Sequence, residues 1–371
     1  MTKSKTRNPN QCRSPNAERI LRISSLVILS SFVIRHCSFA QAPARGRAAI
    51  AGAGLGQERI VVDDKTEQVI RGSLKWLASK QNSNGSWTAN DGERQEVAMT
   101  GYVLITFLSC GHLPDEGEHG KTVTAGVNFL LNNVRPDGTF QPIGHYMYGH
   151  GVASIALAEV YGQTKDPRVR PKLEQVIRTI IQAQNAEGGW RYNPRPNDAD
   201  ISVTVLQVVA LRAAKNAGLD IPQVTIDRAV KYVHTCYDRR EGGFTYQPGN
   251  RRPGYARTAA AIYSLQVCGQ YDDPQVAAGA DFLFQNRNER EWFTYGNFYA
   301  APAMYMIGGE TWESYYNQIK PMLLGATRQQ GDMIYWEPRW DGGRGVGPIY
   351  CTAVYTMILA MPYHYLPLYQ R

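Results

Sequence analysis

The sequence predicts an all-α protein, a closed ring of six helical hairpins known as an α6/α6 toroid. Three observations support this fold class: a sixfold internal repeat, apolar runs of helical length in each repeat, and the scarcity of the period-two alternation that marks strands. The chain of 371 residues is 43% hydrophobic and 19% charged, so it has enough apolar material for a large core.

The repeat is defined by an aromatic anchor that recurs at intervals of 44 to 54 residues. In each unit a first helical pattern leads into a polar loop, and a second, more apolar pattern follows the anchor. Gly111, Gly162 and Gly218 come after the second pattern, where a left-handed residue commonly ends a helix. Each unit is therefore predicted to be a helical hairpin. The anchors are Trp87, Phe140, Trp190, Phe244, Trp292 and Trp336.

The second helix of each hairpin is predicted to form the inner layer of the ring. These runs are rich in small and apolar residues, and residues 151–158 and 258–262 carry no charge. Helices that are covered on both flanks and crowd toward an axis need this composition. Six such pairs favour a closed ring over an open solenoid.

The first 40 residues differ from the rest of the chain in charge and composition. They contain seven basic residues and one acid, which gives +6 of the formal net charge of +8, followed by an apolar stretch at 23–34 and small residues near Ala40. This pattern predicts a signal peptide at 1–40 and an exported, periplasmic or secreted protein; a cytosolic arm or an uncleaved anchor are the alternatives. Residues 41–62 are predicted to be a flexible tether and 63–371 a single toroid domain of six repeats.

Removing the leader leaves a nearly neutral chain, so nucleic-acid binding is not expected. No later apolar run reaches the roughly 18 to 20 residues that cross a bilayer, so no transmembrane span is expected in the mature chain. Four cysteines remain, Cys110, Cys236, Cys268 and Cys351, in no zinc-binding spacing. They could form disulfides in one of three pairings or stay as buried thiols, and the sequence leaves both open.

Residues 76–87 follow the pattern Trp-Leu-x3-Gln-x3-Gly-x-Trp, and residues 184–190 repeat its second half. This pattern resembles the QW repeat of the prenyltransferase and squalene-oxidase superfamily, which includes squalene-hopene cyclases, class II terpene cyclases and protein prenyltransferase β subunits. The resemblance covers about residues 63–371 and implies the toroid fold. It does not imply a reaction, because the repeat residues hold hairpins together: the glutamines are expected to bond backbone and the tryptophans to pack between hairpins.

The cyclases of this superfamily carry an acid motif, Asp-x-Asp-Asp-Thr, at the start of an inner helix, and its central aspartate protonates an alkene or epoxide. This chain has Asp198-Ala199-Asp200-Ile201-Ser202 at the start of the third inner helix, so Asp198 and Asp200 are the candidate catalytic residues. The third carboxylate of the motif is replaced by Ile201. The other interpretation is that Asp200 caps this helix and Asp198 adds favourable charge to its first turn.

The protein prenyltransferases hold zinc with Asp, Cys and His near their last inner helices, and this chain lacks those ligands in the matching segments around Asn297 and Cys351. No metal and no cofactor is therefore predicted. The resemblance places reactive groups where the inner helices begin, on the rim of a central cavity. Those positions predict cavity-rim binding residues, namely Glu96, His145, Tyr148, His150, Tyr255, Arg257, Tyr295, Asn297 and Tyr350.

The 22 tyrosines outnumber the 10 phenylalanines, which favours an aromatic but hydrated cavity, or phenols that bridge repeats by hydrogen bonds. Three functions fit the sequence. The first is an exported terpenoid-cyclase-like toroid that binds or transforms a polyisoprenoid, and would be an isomerase or transferase if it is an enzyme. The second is a non-catalytic envelope scaffold that binds a protein or a glycan. The third is a polysaccharide lyase or glycosidase, for which Glu96 and Asp200 are the one carboxylate pair that can be suggested.

Overall fold

A computed structural model describes residues 60–89, 95–141, 146–194, 196–250, 252–338, 340–341 and 347–369. The predicted signal peptide at 1–40, nearly all of the predicted tether and His145 lie outside these residues. Export and the domain boundaries therefore stay predictions. Among the described helices, none combines the length and the hydropathy that a membrane span needs.

Twelve α-helices in the described part of the chain alternate between an outer and an inner layer. The outer helices are α1 (Asp64–Ser79), α3 (Gly120–Asn133), α5 (Val169–Ala183), α7 (Gln223–Thr235), α9 (Pro274–Gln285) and α11 (Gly309–Gly325). The inner helices are α2 (Glu96–Ser109), α4 (Tyr146–Thr164), α6 (Ile201–Asn216), α8 (Tyr255–Val267), α10 (Phe293–Ile307) and α12 (Pro348–Ala360). Two antiparallel hairpins lie in the loops, β1 (Tyr237–Asp238) with β2 (Gly243–Phe244), and β3 (Arg328–Gln330) with β4 (Met333–Tyr335).

The inner helices form a closed ring. Helix α2 packs on α4, α4 on α6, α6 on α8, α8 on α10, α10 on α12, and α12 packs back on α2. The outer helices lie against this ring, and α1 closes the circle by contacting α12. The predicted all-α toroid of six hairpins is therefore confirmed.

Burial explains which helix of each hairpin lies inside. All residues of α2 except its first are buried, whereas α1 and α5 bury one stripe and expose the opposite face. An inner helix has neighbours on both flanks and an outer helix behind it, so apolar residues are needed all around it. The uncharged segments 151–158 and 258–262 lie in inner helices α4 and α8, as predicted.

The loop between the two helices of a hairpin is held by the glutamine and the tryptophan of the repeat. Nε2 of Gln81 donates to the carbonyls of Gly85 and Thr122, at 3.0 and 2.9 Å, and Nε2 of Gln184 makes the matching bonds to Gly188 and Thr225. Each glutamine thus ties its own loop to the next outer helix. The indoles of Trp87, Trp190 and Trp336 are buried, and each donates to a carbonyl of the preceding outer helix at 2.7 to 2.8 Å.

A threonine on each inner helix adds a contact that the sequence analysis did not predict. The hydroxyl oxygens of these threonines accept from the backbone N–H of the anchor aromatic at 2.9 to 3.1 Å, which fixes the loop on the first or second turn of the inner helix. The pairs are Trp87 with Thr100, Trp190 with Thr204, Phe244 with Thr258, and Trp336 with Thr352.

Glycine is required in these loops by conformation and by space. Gly188 has a φ of +97°, and a Cβ placed there would lie 2.3 Å from the carbonyl oxygen of Arg228 on the next outer helix. Gly85 has a φ of +88° and the same close approach, at 2.4 Å, to the carbonyl oxygen of Ala125. Only a residue without Cβ allows the loop and the neighbouring helix to come this close.

The fifth repeat departs from the predicted pattern at Trp292. This residue precedes α10 with a left-handed φ of +58°, and its side chain is 46% exposed, whereas Trp87 and Trp190 are fully buried. The prediction of Trp292 as a buried anchor was therefore wrong. The sequence interval alone suggested it, and Phe293 is the buried aromatic at this point of the fold.

The C-terminal segment covers the ring at the end where the inner helices finish. A short 3-10 helix, Pro367–Tyr369, packs against α4, α6 and α10, and Leu366, Leu368 and Tyr369 are buried. The amide of Asn216, the last residue of α6, bonds the carbonyl of Pro367. This arrangement leaves the opposite end, where the inner helices begin, for a cavity.

The four cysteines of the described chain are free thiols, two buried and two partly buried. Burial raises the pKa of Cys110, Cys236, Cys268 and Cys351 to about 12. The thiols are therefore protonated at neutral pH and poor nucleophiles.

Candidate functional site

A cavity of about 630 Å³ lies inside the ring, at the end where the inner helices begin. Every inner helix contributes a residue from its first two turns, so the cavity coincides with the predicted rim. The remaining lining comes from the loops that precede these helices. The described lining residues are Ala89, Gln95, Ala98, Met99, Tyr102, Tyr148, Tyr192, Ser202, Tyr246, Ala256, Arg257, Glu289, Glu291, Trp292, Tyr295, Asp341 and Tyr350.

A group of phenols forms one wall of this cavity, and Tyr102 of α2 is at its centre. The Tyr102 hydroxyl lies 2.8 Å from the hydroxyl of Tyr148 on α4. Its ring meets the rings of Tyr350 and Phe298 edge to face, with centroids 4.9 and 5.0 Å apart. Four different inner helices therefore meet at this wall. We call Tyr102, Tyr148, Tyr295, Tyr299 and Tyr350 the phenol cluster.

Burial raises the pKa of every hydroxyl in the phenol cluster above its ordinary value. The hydroxyls are therefore protonated across the physiological range, and each keeps a hydrogen to donate. The hydroxyls of Tyr295, Tyr299 and Tyr350 are buried and have no hydrogen-bond partner among the described residues. Buried polar groups nearly always have a partner, so these three need water or a ligand.

The charged residues of the described lining are one guanidinium and three carboxylates. Arg257 of α8 reaches the cavity, as predicted, and no ion pair joins it to another described residue. Glu289 accepts from the backbone N–H of Tyr255 at 3.1 Å and so holds the start of α8. Asp341 is 4% exposed, and its two oxygens accept from the backbone N–H and the hydroxyl of Thr294, at 2.7 and 2.5 Å.

Asp200 is the N-cap of α6. One of its oxygens accepts from the backbone N–H of Val203 at 2.8 Å and from the Ser202 hydroxyl at 3.0 Å. The other accepts from Arg191 at 2.7 Å, and the carboxylate is fully buried. Asp198 lies 3.4 Å from the same guanidinium and is half exposed. This geometry fits the capping interpretation, and neither aspartate is among the lining residues.

Tyr148, Arg257, Tyr295 and Tyr350 are the predicted rim residues that line the cavity. The structure places three others elsewhere. Nε2 of His150 bonds the Val176 carbonyl of outer helix α5 at 2.9 Å, and burial lowers the pKa of His150 to about 4.

The hydroxyl of Tyr255 donates to Asn297 at 3.0 Å, and both residues border a second, smaller cavity between the fourth and fifth hairpins. Glu96 accepts from Ser86 and Thr88 at 3.3 and 3.2 Å and stabilises its own loop. These side chains leave the axis because successive residues of a helix point about 100° apart, so a residue near a helix start need not face the cavity.

Several lining residues were not predicted. Tyr102 lies on the second turn of α2, deeper than the helix start, and Glu289, Glu291 and Asp341 lie in loops. The excess of tyrosine over phenylalanine was the one sequence signal for this group. In the described residues, no three His, Cys, Asp or Glu side chains lie close enough to share a metal ion.

Comparison with known proteins supports the fold in an independent way. A family model described as the prenyltransferase alpha-alpha toroid domain matches residues 53–215 and 127–299, which together are more than half of the chain. Drimenyl diphosphate synthase from Streptomyces showdoensis is 26% identical over 199 residues, which are 53% of this chain and 35% of that protein. The match thus spans about a third of the curated relative.

Solved structures with a similar fold have other activities. The GH76A alpha-1,6-mannanase of Salegentibacter sp. HEL1_6 superimposes with a TM-score of 0.59 at 10% identity, covering 81% of this chain and 100% of that one. The type II terpene cyclase MstE from Scytonema has a TM-score of 0.54 at 13% identity, covering 82% of this chain and 100% of that one. At these identities the likeness concerns the fold alone.

Proposed function

The chain belongs to the prenyltransferase alpha-alpha toroid domain family, and from this premise we propose that its central cavity binds a polyisoprenoid. The observation that carries the proposal is the cavity itself, which is about 630 Å³ and lined by aromatic and small apolar side chains with few polar groups. Its size lies within the range of small-molecule sites, and its lining suits an unsaturated hydrocarbon chain.

Relatives support the same ligand class. A diphosphate of a terpene gives the matching curated relative its name, and MstE has been solved with geranylgeranyl dihydroxybenzoate as its substrate. A ring that transforms such a ligand would be an enzyme of the terpene cyclase type. Its aromatic faces would stabilise positive charge on the hydrocarbon, because the negative face of an aromatic ring attracts cations.

Proton transfer in this cavity falls to Asp341 rather than to Asp200. Asp341 is a buried carboxylate in the lining, held in one orientation by Thr294. Both oxygens of Asp200 are occupied by the cap and by Arg191, outside the lining. We expect Asp200→Asn to leave ligand binding and any turnover unchanged and to lower stability by about 1 kcal/mol, because asparagine also caps helices but cannot pair with Arg191. Chemical denaturation and a binding titration measure the two effects.

Native mass spectrometry of the full chain, expressed with its leader in a bacterial host, tests the proposal. The expected result is a bound prenyl lipid that is lost in Ser202→Trp, which puts an indole into the cavity, and kept in Val224→Trp, which changes an exposed residue of α7. A ring that carries no lipid and instead captures a protein or glycan would contradict the proposal and favour the scaffold. The same spectra test export, since the mature mass should lack residues 1–40.

A glycosidase is the second candidate, because the mannanase fold and the lining carboxylates Glu289, Glu291 and Asp341 favour it. An inactive variant of that mannanase has two neighbouring aspartates replaced by asparagine. In this chain Asp63 and Asp273, from the adjacent pairs 63–64 and 272–273, are N-caps of outer helices, so neither pair supplies such a site. Titration with alpha-1,6-mannotriose separates the candidates, and micromolar binding would favour the glycosidase.

A further inference from the structure

The phenol cluster contains more donors than the described protein satisfies. Tyr350 is 6% exposed, lines the cavity and has no hydrogen-bond partner among the described residues. Tyr295, also in the lining, and Tyr299, fully buried beside it with ring centroids 4.9 Å apart, are in the same condition. Three hydroxyl hydrogens are therefore available at one wall.

The pair Tyr102 and Tyr148 supplies one more donor. Each phenol has a single hydrogen, so when one hydroxyl donates across the 2.8 Å contact, the other keeps its own hydrogen. Tyr102 is 2% exposed and its ring lies against Tyr350, which brings this hydrogen close to the other donors. The donors come from helices α2, α4, α10 and α12, so no local turn chemistry accounts for them.

Tyrosines elsewhere in the ring show what a purely structural phenol does. The hydroxyl of Tyr316 donates to the carbonyl of Leu359 at 2.9 Å, and that of Tyr315 donates to Asn297 at 3.0 Å. Hydrophobic packing alone would be served equally well by phenylalanine, which has no donor to satisfy. The unsatisfied hydroxyls at the cavity wall therefore need an acceptor that the described protein does not provide.

We infer that the phenol cluster recognises an oxygen atom on the ligand, so that the ring selects an oxygen-bearing isoprenoid, such as an alcohol, ether or carbonyl, over the hydrocarbon of the same length. This inference rests on the proposed function, since it assumes a prenyl ligand in the cavity. In the free ring, water can satisfy the hydroxyls. An oxygen-free chain that displaces this water leaves them buried and unbonded, and a site built in this way rejects the analogue that lacks the polar group.

The test uses two ligands that differ by one oxygen atom, farnesol and the triene hydrocarbon with the same carbon skeleton. Each is delivered from cyclodextrin and titrated by calorimetry into the full mature chain. We expect the wild-type ring to bind farnesol roughly tenfold to a hundredfold more tightly than the hydrocarbon. Tyr350→Phe should narrow this ratio by weakening farnesol binding while leaving hydrocarbon binding equal or stronger.

The matched control is Tyr232→Phe. Tyr232 of α7 is also buried, and its hydroxyl also lacks a partner among the described residues, but it is absent from the cavity lining. Its loss should leave the ratio unchanged. Equal affinity of the wild-type ring for both ligands would overturn the inference and keep the proposed function, whereas binding of neither ligand would overturn the proposed function itself. A ratio reduced equally by both variants would also overturn the inference, because it would show no role specific to the cavity.

Discussion

The hairpin loops and the cavity wall are both rich in aromatic residues, but they differ in how their polar atoms are bonded. In the loops, the indoles of Trp87, Trp190 and Trp336 each donate to a carbonyl of the preceding outer helix. In the phenol cluster, the hydroxyls of Tyr295, Tyr299 and Tyr350 have no partner among the described residues. A satisfied polar atom on a buried aromatic holds the fold together, whereas an unsatisfied one facing a cavity is available to a ligand.

The largest effect is expected from removing a loop indole. Trp190→Ala should lower the free energy of unfolding by about 3 to 5 kcal/mol, because it leaves a cavity and removes a buried hydrogen bond. Trp292→Ala is the matched control, since this indole is 46% exposed at the cavity mouth, and should cost less than about 1 kcal/mol. Urea denaturation of both variants measures the difference. Similar losses would mean that burial and bonding do not separate the two tryptophans.

The loop glycines provide a second comparison. Gly188 and Gly218 both have a φ of +97°, but a Cβ at Gly188 would meet the Arg228 carbonyl, whereas a Cβ at Gly218 would meet nothing within 4 Å. Gly218→Ala should cost only the left-handed penalty of about 1 to 2 kcal/mol. Gly188→Ala should cost about 1 to 3 kcal/mol more through overpacking. Thermal and urea unfolding check this order, and equal costs would show that close packing of the loop on α7 is unimportant.

Glu159 limits the comparison, because its buried Oε2 lacks a partner among the described residues although the residue is not in the described cavity lining. Burial raises its pKa from an ordinary 4.5 to about 8, so between these values the unfolded chain loses its proton while the folded ring keeps it. This residue's contribution to stability should therefore fall as pH rises from about 4.5 and level off above about 8. The slope is up to about 1.4 kcal/mol per pH unit.

Unfolding measured from pH 4.5 to 9 in the wild-type ring and in Glu159→Gln isolates this contribution. The variant should lack that part of the slope and be the more stable of the two at pH 8. Parallel stability profiles would contradict a buried, protonated Glu159. They would also remove the exception to the rule that unsatisfied polar atoms lie at the cavity.

The smallest effect distinguishes two buried tyrosines. Tyr316→Phe removes a hydroxyl bonded to Leu359 and should cost about 1 kcal/mol. Tyr350→Phe removes an unbonded hydroxyl and should change the free energy of unfolding by less than about 0.5 kcal/mol, or increase it. Denaturation in the absence of ligand measures both, and a clear loss in Tyr350→Phe would mean that its hydroxyl has a structural partner.

The fold could be predicted from the sequence because every repeat states the same rule. The anchor aromatics, the glycines and the apolar second helices each recur, so errors at one repeat are corrected by the others. Trp292 shows the limit: its interval fitted, but the interval does not reveal whether a side chain points inward. The structure had to show that Phe293 takes the buried place.

The site was harder to predict than the fold. Inner helices are apolar on all sides, so no amphipathic pattern tells which face looks toward the axis. His150 and Asn297 were predicted at the rim from their place near helix starts, yet they face outer helices. Tyr102 and Asp341 were missed because the first lies one turn too deep and the second in a loop. Only the three-dimensional arrangement brings them together in one cavity.

The central claim is that the unsatisfied phenols, and not the satisfied ones, receive the ligand. Carbon-13 NMR of the ring labelled at the Cζ atom of tyrosine tests this most directly, with each resonance assigned by its phenylalanine variant. On adding farnesol, the account predicts that the resonances of Tyr102, Tyr295 and Tyr350 move while those of Tyr315 and Tyr316 stay. Shifts at Tyr315 and Tyr316 with none in the phenol cluster, while farnesol binds, would contradict it.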